Sequence, residues 1–91
     1  MSVVRVEVSG AVQGVGFRWF TREVARRHGL AGWVRNRDDG NVEIAASGSE
    51  DAIERFLTEV RRGPLGAYVE SLRYLPADSL APLQYPFSIV R

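Results

Sequence analysis

Two hydrophobic periods alternate along this chain, and their order leaves few folds open. In "VVRVEVS" (Val3–Ser9), Val4, Val6 and Val8 fall on one side and Arg5 and Glu7 on the other. That period of two marks a half-buried strand. Phe17, Phe20, Val24 and Ala25 then recur at helical spacing, with Arg22, Glu23, Arg26 and Arg27 facing away. The helix is expected to end at His28, with Gly29 as its stop. "LAGWVRNR" (Leu30–Arg37) and "NVEIAAS" (Asn41–Ser47) read as strands joined by the turn "DDG" (Asp38–Gly40), a strong hairpin signal.

The second half repeats the pattern. Ser49 is a good N-cap, followed by Glu50 and Asp51, where the helix dipole favours negative charge. Ile53, Phe56, Leu57 and Val60 form an apolar stripe that Gly63 and Pro64 close. "AYVESLRYL" (Ala67–Leu75) reads as a fourth strand with a bulge between Val69 and Leu72. After a proline-containing loop, "FSIVR" (Phe87–Arg91) is a short edge strand. The expected fold class is α+β: a β-α-β-β-α-β sandwich in ferredoxin-like order. One mainly antiparallel sheet of four to five strands would carry both helices on one face.

That order predicts where residues meet. With the third strand between the first and second, the first two run parallel and their C-terminal ends share one edge of the sheet. Along the second strand Val34 and Asn36 share a face, and Trp33 and Arg35 share the other. If Val34 faces the helices, Asn36 points toward the loop that opens the first helix.

At 91 residues the chain is read as a single domain, 1–91, complete by itself. Its formal net charge of +1 gives no electrostatic case for nucleic acid or an anionic membrane. It has no cysteine and one histidine, His28. That excludes a disulfide framework, a thiolate metal site, a cysteine nucleophile and a multi-histidine metal centre. No apolar run approaches the ~20 residues a membrane span needs, and no signal-peptide pattern opens the chain. A soluble, cytoplasmic, monomeric protein is expected.

The loop "SGAVQGVGFRWF" (Ser9–Phe20) is the candidate site. It holds Gly10, Gly14 and Gly16 and a single charge, Arg18. It is not a Walker A loop, because no Lys-Ser/Thr pair follows the glycines. Nor is it a dinucleotide fingerprint, because Trp19 stands where the third glycine belongs. Two readings remain open from the residues alone. The backbone N–H groups of a glycine-relaxed loop at a helix N-terminus can converge on an anion, with Arg18 adding a bidentate fork. Equally, the glycines can serve a tight strand-to-helix turn, with Arg18 merely solvated.

Resemblance separates the two. "GAVQGVGFR" (Gly10–Arg18) resembles the signature Gly-x-Val-Gln-Gly-Val-x-Phe-Arg of the acylphosphatases. "GWVRNRDDGNVEIAASG" (Gly32–Gly48) resembles that family's second signature at every fixed position. The resemblance implies hydrolysis of acyl phosphates to carboxylate and inorganic phosphate, the latter both product and inhibitor. It implies no cofactor, no metal and no covalent intermediate. It assigns phosphate binding to Arg18 and to the backbone of Gln13, Gly14, Val15, Gly16 and Phe17, and orientation of the attacking water to Asn36. Asn41 stands where the family often has a threonine that helps to hold the catalytic asparagine, and is expected to supply the same hydrogen bond.

The other polar and aromatic residues carry simpler expectations. His28 caps a helix. Arg26, Arg27, Arg61 and Arg62 are solvated on helix faces. Asp38 and Asp39 form the turn, Arg35 and Arg37 are solvated, and Trp33, Tyr68, Tyr74 and Tyr85 pack on or near the sheet. An RNA-binding module of the same element order would need stacking aromatics on the first and third strands. "VRVEVSG" and "NVEIAASG" carry none.

Overall fold

The computed structural model describes all 91 residues. The strands are β1 (Ser2–Ala11), β2 (Ala31–Asn36), β3 (Val42–Gly48), β4 (Tyr68–Leu75) and β5 (Ser88–Ile89), and the helices are α1 (Phe17–Arg27) and α2 (Glu50–Arg62). The sheet order is β4-β1-β3-β2-β5. β1–β3, β1–β4 and β2–β3 are antiparallel, and β5 runs parallel to β2 at the edge. This is the expected α+β sandwich, with β3 between β1 and β2.

The register explains the core. Val6 pairs with Ile44 and Ile44 with Val34, and one row further on Val8 pairs with Val42 and Val42 with Asn36. Paired residues point to the same side of a sheet. These valines and Ile44 are buried with Val24 and Ala25 of α1 and Ile53, Phe56, Leu57 and Val60 of α2. Asn36 therefore ends the row on the helix-covered face, as the alternation along β2 predicts. Phe87, entering β5, is fully buried and packs on Phe56 with ring centroids 6.0 Å apart.

The helix ends follow their sequence signals, with one difference. α2 is capped by Ser49, whose Oγ accepts the Ala52 N–H at 3.1 Å, and Glu50 and Asp51 stand in its first turn. α1 has Gly16 as its N-cap, no side-chain cap and no acidic residue in its first turn. His28 is the C-cap of α1, as expected. The bulge lies on β4: Ser9 pairs with Ser71 and Gly10 with Val69, leaving Glu70 as the extra residue.

The uncovered face of the sheet is where sequence expectations need correcting. Arg73, Glu7, Glu43 and Arg35 form one cross-strand row over β4, β1, β3 and β2. Glu43 is 1% exposed and Glu7 6%. Two carboxylates directly opposite each other would repel, but arginines surround them. Glu43 accepts from Arg5 Nε at 2.5 Å and from Arg35 at 2.9 and 2.6 Å. Glu7 is paired with Arg73 and, at 3.2 Å, with Arg37. Arg37 also reaches Asp39 at 3.4 Å and Glu43 at 3.4 Å. Arg35 and Arg37 are thus tied into ion pairs rather than freely solvated.

Burial alone would raise the Glu43 carboxyl, but hydrogen bonds from Arg5 and Arg35 and their charges outweigh it, and the net shift is downward. Hydrogen bonds from Asn41 and then Arg73 hold Glu7 below the usual carboxylate range, against its burial. Arg26 and Arg27 are also engaged: Arg26 Nε donates to the Phe87 carbonyl at 2.9 Å, and Arg27 pairs with Glu59 at 3.1 Å. Glu59 lies 2.8 Å from His28 Nε2, and that hydrogen bond is the main cause of its lowered pKa. The tyrosines do not pack as expected: Tyr68, Tyr74 and Tyr85 are 66%, 59% and 72% exposed. Tyr74 pairs with Val6 and so takes the helix side, but on the edge strand β4, where only Arg61 of α2 reaches its hydroxyl, at 3.5 Å.

Candidate active site

The loop between β1 and α1 is pinned by apolar side chains and opened by glycines. Val12 and Phe17 are each 1% exposed, and Val15 packs against the core. Between these anchors Gly14 and Gly16 adopt φ values of 76° and 78°, left-handed conformations that side-chain-bearing residues enter at a cost. A Cβ at either would meet nothing within 4 Å, so backbone conformation rather than crowding calls for glycine.

This geometry leaves the amides of the loop unused. No backbone N–H from Val12 to Arg18 donates to a protein acceptor. The first bond of the α1 ladder is from Phe20 N–H to the Gly16 carbonyl at 3.0 Å. The uncapped N-terminus of α1 adds its positive dipole end to the same place.

Arg18 and Asn36 line one cavity of about 200 Å³ with Val12, Gly14, Gly16, Phe17, Trp19 and Ile89. The chain crosses from β1 to β2 by way of α1, and the parallel direction of the two strands brings their C-terminal ends together there. Asn36 Oδ1 is buried and has no hydrogen-bond partner in the protein. A buried amide oxygen left unpaired costs roughly 1–3 kcal/mol, so the chain itself leaves the Asn36 amide with unused hydrogen-bonding capacity. No three His, Cys, Asp or Glu side chains converge as a metal site.

Gly14, Gly16 and Phe17 of the expected cradle line the cavity, and Gln13 and Val15 stand beside them in the loop with backbone N–H groups equally free. The Gln13 side chain turns toward the β2–β3 hairpin. Its Nε2 donates to the Arg37 carbonyl at 2.9 Å and to the Asn41 carbonyl at 2.9 Å. Those two residues close the hairpin through an Arg37 N–H bond to the Asn41 carbonyl at 2.8 Å. Gln13 thus clips the glycine loop to the turn that follows Asn36. Only its backbone entered the reading from sequence. The signal available was the one neutral amide in a loop otherwise built of glycine and apolar residues.

The support expected from Asn41 is not made. Its side chain lies on the uncovered face, where Nδ2 donates to Glu7 Oε2 at 2.9 Å. The turn geometry is the reason: Asn41 precedes Val42, whose side chain takes the helix-covered face. Asn41 braces the hairpin from behind, through Glu7 and the row of arginines.

Comparison with known proteins points to one family. A family model described as acylphosphatase matches residues 4–89. A Rhodospirillum rubrum acylphosphatase is 49% identical over 88 residues, covering 97% of this chain and 94% of that one. One from Thermotoga petrophila is 51% identical over 72 residues, 79% of this chain and 80% of the relative. The crystal structure of an acylphosphatase from Bacillus subtilis superposes with a TM-score of 0.91 at 44% identity, covering all of both chains.

Proposed function

The chain belongs to the acylphosphatase family of hydrolases, and from that premise we propose how its own residues carry out the reaction. Arg18 and the free amides from Gln13 to Arg18 bind the phosphoryl group, and Asn36 orients the attacking water. The observation that carries this reading is that Arg18, from the start of α1, and Asn36, from the end of β2, line one cavity beside the free amides of the glycine loop.

The substrate, an acyl phosphate, is a mixed anhydride of a carboxylic acid and phosphoric acid. Attack of water on phosphorus forms a P–O bond and breaks the bond to the acyl oxygen, which leaves with its electron pair as a carboxylate. A carboxylic acid has a pKa of about 4, so the leaving group needs no general acid. The remaining tasks are to hold the phosphoryl group, to spread the charge on its equatorial oxygens and to set water in line. The guanidinium fork of Arg18 and the loop amides suit the first two. The Asn36 amide carries both an acceptor and donors, so it can hold a water with its lone pair turned toward phosphorus. An amide is no base at neutral pH, so the water's proton passes to a phosphoryl oxygen, giving inorganic phosphate.

The unit of function is the single domain 1–91, acting as a cytoplasmic monomer with no metal, nucleic acid or membrane partner. No helix is long and apolar enough to cross a membrane. The test is hydrolysis of benzoyl phosphate in the presence of chelator, with competitive inhibition by inorganic phosphate. Arg18→Gln is expected to abolish activity and phosphate binding with the fold intact. Asn36→Ala is expected to lower kcat far more than it weakens phosphate binding. Near-wild-type kinetics in Arg18→Gln would sink the assignment, and loss of phosphate affinity with kcat preserved in Asn36→Ala would reverse the two roles.

A further inference from the structure

Glu7 is a buried carboxylate that the hydrolytic chemistry leaves without a task. It lies on β1, a short way before Gly10, on the uncovered face of the sheet. Enclosing a carboxylate carries a desolvation penalty, and an apolar residue often serves stability as well or better at such a position. What a carboxylate adds is two acceptor oxygens at fixed positions. Those of Glu7 are divided between two elements. Oε1 accepts from Arg73 of β4. Oε2 accepts from Asn41 Nδ2 at 2.9 Å and lies 3.2 Å from Arg37 Nε.

We propose that Glu7 is a positioning residue, which acts through Arg37 and Asn41 to fix Asn36 relative to the glycine loop. The inference rests on the hydrolytic reading above and adds a group that touches neither substrate nor water. Arg37 and Asn41 are the two ends of the hairpin turn, joined by the Arg37 N–H bond to the Asn41 carbonyl at 2.8 Å. Asn36 directly precedes Arg37. Glu7 Oε2 therefore grips both ends of the turn by their side chains, while Gln13 holds the same two residues by their carbonyls. β1 itself continues into the glycine loop. The strand that delivers the phosphate-binding amides thus also carries the carboxylate that fixes the turn behind Asn36.

The surrounding charges leave this task to Glu7. Across the sheet it faces another carboxylate, Glu43, and like charges directly opposite are unfavourable. Glu43 is taken up by Arg5 and Arg35, which leaves Glu7 to the hairpin and to Arg73. Without Glu7, the Asn41 side chain has no partner. Arg37 would keep only its longer contacts, 3.4 Å to Asp39 within the turn and 3.4 Å to Glu43.

The experiment measures kcat for benzoyl phosphate, the inhibition constant of inorganic phosphate and Tm in the wild type, Glu7→Ala, Glu7→Gln, Asn41→Ala and Arg73→Gln. The expected kcat falls about tenfold in Glu7→Ala, less than the ~100-fold a 1 Å misplacement can cost, because Gln13 still holds the turn. Glu7→Gln keeps one acceptor oxygen and should recover part of that loss. Asn41→Ala is expected to lower kcat about threefold, by the same loss of alignment. The inhibition constant of phosphate should stay within about twofold throughout, because Arg18 and the loop amides are untouched. Arg73→Gln removes the contact of Glu7 that faces away from the hairpin, and is expected to lower Tm with kcat unchanged. Unchanged kcat in both Glu7→Ala and Asn41→Ala would overturn the positioning role and leave the hydrolytic reading standing. Phosphate affinity falling in step with kcat would also overturn it, since that marks general loosening. Asn41→Ala decides the question alone if Glu7→Ala does not fold. No turnover by the wild type would overturn the hydrolytic reading and the positioning role with it.

Discussion

Gln13→Ala separates the clip that aligns the two halves of the site from the groups that do the chemistry. Gln13 gives two hydrogen bonds of 2.9 Å across the boundary between the glycine loop and the hairpin. Neither acceptor is orphaned when they go. The Arg37 carbonyl still receives Gly40 N–H at 3.2 Å, and the Asn41 carbonyl still receives Arg37 N–H at 2.8 Å. The loss is then the net worth of two hydrogen bonds, about 0.5–1.5 kcal/mol each, without a buried-acceptor penalty. A total of about 2 kcal/mol corresponds to a Tm lowered by about 10 °C in a domain of this size. The effect on activity has a different origin. Without the clip, Asn36 and the amide cradle shift independently, and a misplacement of about 1 Å can cost about 100-fold. The expected kcat for benzoyl phosphate falls about 10- to 100-fold. The inhibition constant of phosphate, which depends on the loop and Arg18 alone, changes by no more than about threefold. Gln13→Glu, nearly isosteric but without donors, is expected to be worse than Gln13→Ala, because a carboxylate would face two carbonyl oxygens. Steady-state kinetics and thermal denaturation of both variants provide the test. A kcat within about twofold of wild type, alongside the expected loss in Tm, would show that the clip serves folding only.

Two further predictions concern the scaffold. Glu43 has its carboxyl held below the usual range, so its contribution to stability is present above that range and is lost as pH falls through its folded value. Glu43→Gln leaves Arg5 and Arg35 facing a neutral group. The expected cost at pH 7 is about 2 kcal/mol, below the ~3–5 of a fully enclosed pair because the arginines are partly exposed. The cost should shrink in urea unfolding at pH 3, and an equal cost at both pH values would refute the electrostatic account. Ser49→Ala removes the bond to Ala52 N–H and is expected to cost about 1 kcal/mol; no change in urea midpoint would show that the cap contributes nothing.

The elements were legible because their signals were local: alternation in β1, stripes in both helices, a cap at Ser49, a stop at Gly63. The meeting of Arg18 and Asn36 could also be reached, since it needs only the strand order and the parity of Val34 and Asn36. What stayed hidden depends on register and on side-chain direction. Glu7 and Glu43 read as solvent-facing positions of alternating strands, and nothing local says that four strands align Arg73, Glu7, Glu43 and Arg35 in a single row. For Gln13 and Asn41 the family resemblance implies a cradle backbone and a support for Asn36, and it says nothing of where their side chains turn. Gln13 in fact bonds to hairpin carbonyls and Asn41 to Glu7 on the opposite face, distinctions set by loop conformation that residue spacing does not encode. The exposure of Tyr68 and Tyr74 follows from their place on the edge strand β4, which composition cannot reveal.

The central claim is that water held by Asn36 attacks phosphorus while Arg18 and the loop amides hold the phosphoryl group. A single turnover of benzoyl phosphate in oxygen-18 water, with both products analysed by mass spectrometry, tests it most directly. Label confined to inorganic phosphate is the predicted result, and label in benzoate would place the attack at the acyl carbon and contradict the account.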